Sequence, residues 1–529
     1  RTSRSQDGDL ARLNERGFKI SLPLALFLLF QGLYGLTASG RVDRMPDEFE
    51  VYLQVESLWE RGSLAIPQVQ PEYLYGRIGV DGEQYAPWGP GGAFFALPHH
   101  AVGRVVAWIT GVQRGNGRAW DELVSGVTSL ASSTWAAMTV VGFFFAALAL
   151  GASRRRATGM ALLLGGATFL WPYGTLFFGE PLGAALLIWA VAFQLRGERA
   201  LAAGAVCFLI LIKAGNLIFA PTLLALACLD SLLAPGTPAE RGRRILLAAW
   251  PLLLAICVAC LVHLEWNVFR FGDPREVGYN WTETLRPGDT PRGFMLSEVP
   301  RGALGMLLSP GKSVLLFAPP LLLLVGRLRP FFREHRSVAL AWAWVLACPL
   351  VFFGAFSYWE GGYCYGPRYL LPAVPILMLP LVYGARPKKA SLWVCVGLGI
   401  AVQIMGVSVS YMEDQDYNDL GDPDWERNYY VMHDPSSTEV PRGRPLNRYN
   451  LGYTPFKGCP RLIVKHLATG EPGAGATGLE FFPLRLLRVA WGSPPGALPA
   501  YLPWIILLPF PFMLAAGVVG IRRTDWDAS

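Results

Sequence analysis

Long apolar runs follow one another along the chain, separated by short basic segments and longer polar loops. A helix that crosses a bilayer needs about 20 largely apolar residues. The run 200–229 is interrupted at Lys213-Ala-Gly-Asn216 and Pro221, so we interpret it as two short spans that form a hairpin. The pattern predicts an all-α polytopic membrane protein with a bundle of about 12 transmembrane helices. The apolar runs are 20–38, 127–151, 157–178, 181–195, 200–229, 245–264, 313–326, 337–358, 369–384, 390–412 and 498–520.

The first run, 20–38, has two interpretations. Thr37-Ala38-Ser39 is compatible with a signal-peptide cleavage site. A basic leader of about 19 residues precedes the run, which is unlike a signal peptide. We therefore expect a retained transmembrane span.

Basic residues predict the orientation of the bundle. The chain contains 46 Lys+Arg against 39 Asp+Glu, a net charge of +7. If the N-terminus is cytoplasmic, nearly half of these basic residues fall in short cytoplasmic segments, as the positive-inside rule requires. The excess positive charge then indicates the orientation of the protein in the membrane and does not indicate a nucleic-acid-binding surface. These segments are 1–19, 152–156, 196–199, 234–244, 327–336, 385–389 and 521–529.

Three long loops are predicted on the outer side, at 39–126, 265–312 and 411–497. Within the first, 93–111 is amphipathic and is typical of a helix lying along the membrane surface. We expect three parts: a transmembrane module at 1–410, an extracytoplasmic cap at 411–497, and a last helix with a cytoplasmic tail at 498–529. A bacterial inner or cell membrane is the expected location.

Charge is scarce, at 16% of residues, which excludes an ordinary soluble enzyme. Lys213 is the exception among apolar runs that are otherwise almost free of charge. Ion-coupled transporters place ionisable groups at the membrane midplane. This chain places them in outer loops and at the ends of spans, which favours a catalyst at the outer face. A transporter or flippase of lipid-linked sugars remains the alternative, and a non-catalytic scaffold is a third.

Two acidic segments are candidates for chemistry. Asp47 and Glu48 follow the first span in Met45-Pro46-Asp47-Glu48, where one can act as a general base and the other as a hydrogen-bond or metal partner. They are equally suited to stabilising the start of the next helix. Glu180 is the one charged residue between Arg156 and Arg196. It is either part of a site or a solvated turn residue.

Arg368 lies near the end of an aromatic-rich segment, 357–369, at the predicted outer start of a span. A guanidinium there suits a lipid phosphate bidentately. An ordinary aromatic belt with an anchoring arginine is the other interpretation. Lys213 and Lys312 can join the same anionic site or can simply extend towards the headgroups. The aromatic residues expected at headgroup depth are Tyr358, Trp359, Tyr363, Tyr365 and Tyr369.

Metal and redox signals are weak. His99 and His100 are adjacent on the amphipathic segment, where neighbours do not face one site. The acidic run 413–426 lacks the glycine position of a calcium loop. Cys364 and Cys459 can form a disulfide, and the sequence does not decide whether they do.

Five segments, in order along most of the chain, resemble the GT-C superfamily of membrane glycosyltransferases. The resemblance is strongest to its protein O-mannosyltransferase and lipid A aminoarabinose transferase branch. It implies a GT-C-like bundle with an amphipathic surface helix and extracytoplasmic loops. The 411–497 loop matches no segment of that family. The five segments are Asp47-Glu48, GEQYAPWGPGGAFFALP (82–98), FRFGDPREVGY (269–279), LLSPGKSVLLFAPPLLLL (307–324) and WEGGYCYGPRYLLPAVP (359–375).

The resemblance implies an inverting glycosyltransferase. Its donor is a sugar on a polyprenyl phosphate, and its acceptor is a hydroxyl of a lipid, glycan or protein at the outer face. Asp47 is the expected base, and Arg368, with Lys213 and Lys312, is expected to stabilise the leaving phosphate. Glu48 and Glu180 would orient the acceptor or hold a divalent metal cation, whose requirement stays open. Further substrate contacts are expected from Tyr85, Glu360, Tyr363 and Tyr365.

Overall fold

The computed structural model describes most of the predicted bundle and part of the outer loops. Its segments are residues 20–43, 45–66, 76–116, 118–233, 235–278, 294–356, 358–362, 364–384, 387–411, 454–469, 481–482, 486, 501–524 and 526.

Helices make up most of this part of the chain. The first ten are α1 (Leu22–Leu36), α2 (Pro46–Arg61), α3 (Gly91–Thr110), α4 (Arg118–Ser129), α5 (Ala131–Ala149), α6 (Arg154–Ala167), α7 (Leu170–Tyr173), α8 (Glu180–Leu195), α9 (Arg199–Ile212) and α10 (Ala220–Leu233). The next ten are α11 (Pro238–Phe271), α12 (Val299–Leu308), α13 (Val314–Phe317), α14 (Leu328–Glu334), α15 (Arg336–Gly354), α16 (Val374–Met378), α17 (Lys389–Ser408), α18 (Pro455–Thr469), α19 (Leu502–Leu507) and α20 (Pro509–Arg522).

Six helical segments in the described residues are long and apolar enough to cross a membrane. Three shorter apolar helices, α1, α8 and α9, accompany them. The described part of the chain is thus largely helical with six candidate membrane spans, and the count of about 12 stays a prediction. The six segments are Ala119–Ala149, Ala214–Leu233, Pro238–Phe271, Arg336–Gly354, Lys389–Ser408 and Leu502–Arg522.

Two predicted spans contain no α-helix longer than five residues. The run 313–326 contains only the short α13 and a 3₁₀ turn at Pro319–Leu324. The run 369–384 contains the short α16 between the 3₁₀ turns Arg368–Leu370 and Leu379–Val382. Prolines explain both, because each removes a backbone N–H donor and clashes with the preceding turn. The apolar pattern identified buried segments here but could not fix their backbone conformation.

Two pairs of helices pack closely within the bundle. Helix α1 packs against α20, and α5 packs against α8. Gly32 of α1 is close enough to α20 that a Cβ would lie 2.6 Å from the Leu514 nitrogen. Gly517 of α20 makes the same approach to Leu29 in return. Small residues of this kind allow membrane helices to approach closely.

The predicted interruption within 200–229 is present. Helix α9 ends at Ile212, a 3₁₀ turn occupies Ala214–Phe219, and α10 follows. Both helices pack on α11. Lys213 is therefore held at a break in the helical backbone.

The predicted first outer loop contains α2, a small antiparallel pair of strands and α3. Strands β1 (Arg77–Ile78) and β2 (Gln84–Tyr85) pair with Arg77 opposite Tyr85. Helix α3 covers the predicted amphipathic segment and buries Ala96, His100 and Ala107, while large apolar residues on its other side are exposed. Its placement along the membrane surface stays a prediction.

The division into a transmembrane module at 1–410, a cap at 411–497 and a last helix with its tail at 498–529 stays a prediction. Of the 411–497 loop, the structure describes α18 and a few further positions. Helix α18 packs on α17.

Candidate active site

An ion pair joins the predicted first outer loop to the segment that precedes the α16 region. The Arg368 guanidinium lies 2.6 Å from the Asp47 carboxylate, measured from Nη1 to Oδ2. Its Nε lies 3.9 Å from Oε1 of Glu180. The Arg368 side chain is only 8% exposed, against 24% for Asp47 and 12% for Glu180. Two predicted acids and the predicted arginine are thus brought together in a partly buried cluster.

Both acids stand at helix starts. Asp47 lies in the first turn of α2, whose first residue is Pro46, and Glu180 is the first residue of α8. A helix N-terminus carries partial positive charge and stabilises a carboxylate there. Asp47 and Glu180 can therefore stabilise the starts of their helices and also take part in the site.

Glu48 has a different position from its neighbour. Its side chain is fully buried, and Oε1 accepts a hydrogen bond of 3.0 Å from the backbone N–H of Phe177. Phe177 lies in the segment that leads to Glu180. Glu48 therefore ties α2 to the start of α8, so that Asp47 and Glu180 face the same arginine.

A cavity of about 780 Å³, counting the space at its mouth, lies beside this cluster. Its wall contains the Asp47 and Glu180 carboxylates and Lys213. Arg368 stands behind the two acids and is not part of the lining. The remaining wall is mostly apolar and aromatic, and includes Trp88, Trp135, Phe177, Phe178, Phe353 and Tyr369. Largely apolar concave sites with a few polar groups are typical of small-molecule binding.

Lys213 faces this cavity between two aromatic rings. Its Nζ lies 4.8 Å from the centroid of the Trp88 ring and 5.5 Å from that of Tyr369. Both distances fit cation–π interactions. The Tyr369 ring also contacts the Arg368 guanidinium, 5.1 Å from its centroid. Tyr369 therefore contacts both cations of the site.

Lys312 is buried away from the cavity wall. Its Nζ donates to the backbone carbonyls of Cys364, at 2.7 Å, and Gly362, at 3.3 Å. It therefore contacts the loop that leads to Arg368. The sequence grouped Lys312 with a phosphate site, but its amine is committed to this loop, so that role stays an untested prediction.

Of the remaining predicted contact residues, Tyr85, Glu360 and Tyr365 do not line the cavity. Tyr85 donates a 2.6 Å hydrogen bond from its hydroxyl to Asp81, and burial with that bond raises the pKa of the tyrosine. Tyr365 donates to the carbonyl of Val402, and Glu360 is buried. Tyr363 lies outside the described residues. Their substrate roles stay predictions.

Glu50 is the residue that the sequence analysis missed. Its buried carboxylate accepts hydrogen bonds from the Gly76 N–H, at 2.9 Å, and from the Trp88 indole N–H, at 2.8 Å. Burial, followed by the charge of Asp47, raises the pKa of Glu50 to about 8. The spacing of Asp47 and Glu50, three positions apart on one helix, indicates that they share a face. That signal was available in the sequence.

No cluster of three or more histidine, cysteine, aspartate or glutamate side chains suits a metal within the described part of the chain. His99 is hydrogen-bonded to Thr134 and His100 to Thr128, and burial lowers the pKa of each histidine to about 4. Cys364 and Cys459 are present as thiols. The acidic run 413–426 lies outside the described residues.

No protein-family model matches the chain, and no curated protein matches it in sequence. In structure it is similar to ArnT from Cupriavidus metallidurans bound to undecaprenyl phosphate, at 15% identity and a TM-score of 0.41, over 92% of this chain and 76% of that chain. The apo state of the same protein is similar at 15% identity and a TM-score of 0.44, over 92% of this chain and 73% of that chain. The Archaeoglobus fulgidus oligosaccharyltransferase in complex with zinc and sulfate gives 15% identity and 0.45, over 80% of this chain and 59% of that chain.

Proposed function

We propose that the chain is a membrane glycosyltransferase that moves a sugar from a polyprenyl-phosphate donor to an acceptor hydroxyl at the extracytoplasmic face. The observation that carries the proposal is the joint position of four charged residues. Asp47, Glu180 and Lys213 line one largely apolar cavity, and Arg368 stands directly behind the two acids. These are the charged groups that the sequence singled out among nearly uncharged spans.

Asp47 is the proposed general base. Its carboxylate faces the cavity from the first turn of α2, and Arg368 fixes its orientation. An acceptor hydroxyl at this wall transfers its proton to Asp47 while its oxygen attacks the anomeric carbon of the donor. The new carbon–oxygen bond forms on the face opposite the phosphate, so the anomeric configuration inverts. Glu180 accepts a hydrogen bond from the same substrate and holds it in place.

The bond that breaks joins the anomeric carbon to the phosphate oxygen. Its electron pair leaves with the lipid phosphate, which changes from a diester with one negative charge to a monoester with greater negative charge. Cations that face this developing charge lower the barrier. Lys213 is the cation at the cavity wall, so we assign it the contact with the phosphate. Arg368, already paired with Asp47 and Glu180, organises the acids and adds a positive field from behind them.

A divalent metal has no matching site among these residues. The two carboxylates that would hold it, Asp47 and Glu180, both face the Arg368 guanidinium. A second cation between them would be repelled by that guanidinium. The proposed steps therefore pass through side chains of the chain alone.

The test uses the purified protein in lipid nanodiscs with a radiolabelled polyprenyl-phosphate sugar. A hydroxyl-bearing lipid, a glycan and a serine/threonine peptide serve as three classes of acceptor. Transfer to one class, with inverted configuration at the anomeric carbon, supports the proposal. Absence of transfer in all three, together with movement of the donor across a sealed vesicle bilayer, would instead establish a flippase.

A further inference from the structure

The two cations beside the cavity differ in how their charge is neutralised. Arg368 contacts two carboxylates, Asp47 and Glu180. Among the described residues, no carboxylate lies within 4.0 Å of Lys213 Nζ. Its partners are the rings of Trp88 and Tyr369. Aromatic faces stabilise an ammonium without neutralising its charge, so Lys213 remains able to attract an anion.

The Trp88 ring is held by a residue that does not line the cavity. Its indole N–H donates to the Glu50 carboxylate at 2.8 Å, and both residues are more than nine-tenths buried. Glu50 is itself held by the N–H of Gly76. The Glu50 carboxyl can accept from the indole N–H in either protonation state, and this bond fixes the ring plane. The Trp88 face is thereby held beside the lysine ammonium.

The backbone beside Trp88 is also locked against the segment that carries Lys213. The Gly89 N–H donates to the carbonyl of Ile212 at 3.2 Å. A Cβ at Gly89 would lie 2.1 Å from the carbonyl oxygen of Leu211. Only glycine permits this approach. The glycine-rich segment after Trp88 therefore places the indole directly beside the end of α9, where Lys213 follows.

We propose that Trp88 is a binding residue that presents the Lys213 ammonium to the phosphate of the lipid donor, and that Glu50 is a positioning residue that acts through the Trp88 indole N–H. The proposal rests on the proposed function for the identity of the donor. It adds two residues to the site and a defined order of action, from Glu50 through Trp88 to Lys213.

Substitutions separate this role from general packing. Trp88→Phe keeps an aromatic face but removes the N–H. Glu50→Gln retains an oxygen for Gly76 but turns its amide donor towards the indole N–H, so that two donors oppose each other. In a protein that already carries Trp88→Phe, this opposition is absent. Glu50→Gln should therefore weaken phosphate binding in the native background and add little to Trp88→Phe.

The experiment measures binding of a short polyprenyl phosphate, farnesyl phosphate, to the full chain in nanodiscs. Farnesol is the uncharged control, and inorganic phosphate distinguishes the lipid headgroup from a free anion. Trp108→Leu, on an exposed tryptophan of α3, is the matched control. We expect Trp88→Leu and Lys213→Met each to weaken farnesyl phosphate binding by about tenfold or more, with farnesol binding and the control variant unchanged.

The double variant decides the role of Glu50. Non-additive effects of Glu50→Gln and Trp88→Phe on farnesyl phosphate binding support the proposal. Additive effects would overturn it, as would a Trp88→Leu protein that folds and binds farnesyl phosphate normally. Tight binding of inorganic phosphate alone would overturn the assignment to a lipid headgroup. All of these measurements report binding and none requires turnover. A failure of the proposed transferase activity would appear only in the transfer assay, so the two proposals can fail independently.

Discussion

The Asp47 carboxylate and the Arg368 guanidinium are 2.6 Å apart at the edge of the cavity, although they come from distant parts of the chain. The pair is partly shielded from water, so each charge depends on the other. Removing Arg368 leaves two acids without their cation, and an uncompensated charge of this kind commonly costs about 3–5 kcal/mol. Asp47→Asn instead leaves Arg368 with Glu180, so its cost in stability is smaller. This dependence gives the two residues separable signatures in stability and in catalysis.

Arg368→Gln should destabilise the fold and lower turnover. The variant leaves Asp47 and Glu180 without their shared cation, and two nearby carboxylates repel each other. Thermal unfolding in detergent should show a clear drop in the melting temperature. Adding Asp47→Asn to Arg368→Gln should restore part of that loss. A double variant that is less stable than the single Arg368 variant would contradict the pairing.

Lys213→Met should act mainly on the donor. Methionine keeps the length and apolar stem of lysine but removes its charge at the cavity wall. The KM for the polyprenyl-phosphate sugar should rise by about tenfold, with a smaller change in melting temperature than in Arg368→Gln. An unchanged donor KM, combined with a large loss of stability, would give Lys213 a purely structural role.

Glu48 should matter for structure more than for proton transfer. Its carboxylate accepts the Phe177 N–H, which keeps the approach to Glu180 in place. Glu48→Gln retains an acceptor oxygen and should preserve most of the activity. Glu48→Ala leaves a buried N–H without its acceptor and should cost about 1–3 kcal/mol of stability. Equal loss of activity in the two variants, with both folded, would instead indicate chemistry at Glu48.

Glu50 should make stability depend on pH. Its pKa is raised in the folded protein to about 8 from an ordinary value of 4.5, first by burial and then by Asp47. The folded state therefore binds the proton more tightly than the unfolded state between these values. Stability should fall as pH rises through that window, with a limiting slope of roughly 1.4 kcal/mol per pH unit.

Glu50→Gln should remove this contribution. The unfolding free energy of the native chain minus that of the variant should fall as pH rises from about 4.5 to about 8 and stay constant outside that range. Parallel pH profiles for the two proteins would show that Glu50 ionises normally in the fold.

Scarcity of charge made part of the site predictable. Asp47, Glu180, Lys213 and Arg368 stood out because the spans around them are almost uncharged, and all four now lie in or beside one cavity. Which cation faces the cavity was not predictable, because that depends on distances between distant segments. Sequence spacing favoured Arg368, whereas the structure places Lys213 on the wall.

Local context explains the remaining differences. Hydrophobicity predicted membrane spans at 313–326 and 369–384, but their prolines prevent continuous helices. Lys312 looked like Lys213 in sequence, yet its amine is engaged by the Gly362 and Cys364 carbonyls. Glu50 was overlooked since an acid inside an amphipathic helix resembles a solvated one until its partners, Gly76 and Trp88, are known.

The most direct test of the central claim is the effect of Asp47→Asn on release of polyprenyl phosphate from a radiolabelled polyprenyl-phosphate sugar in nanodiscs. Asp43→Asn, an exposed acid in the same loop, is the matched control. The account predicts that Asp47→Asn lowers turnover by about a hundredfold or more, while farnesyl phosphate binding and the melting temperature stay close to native and Asp43→Asn is unaffected. Near-native turnover in a folded Asp47→Asn protein would remove Asp47 from the reaction and contradict the account.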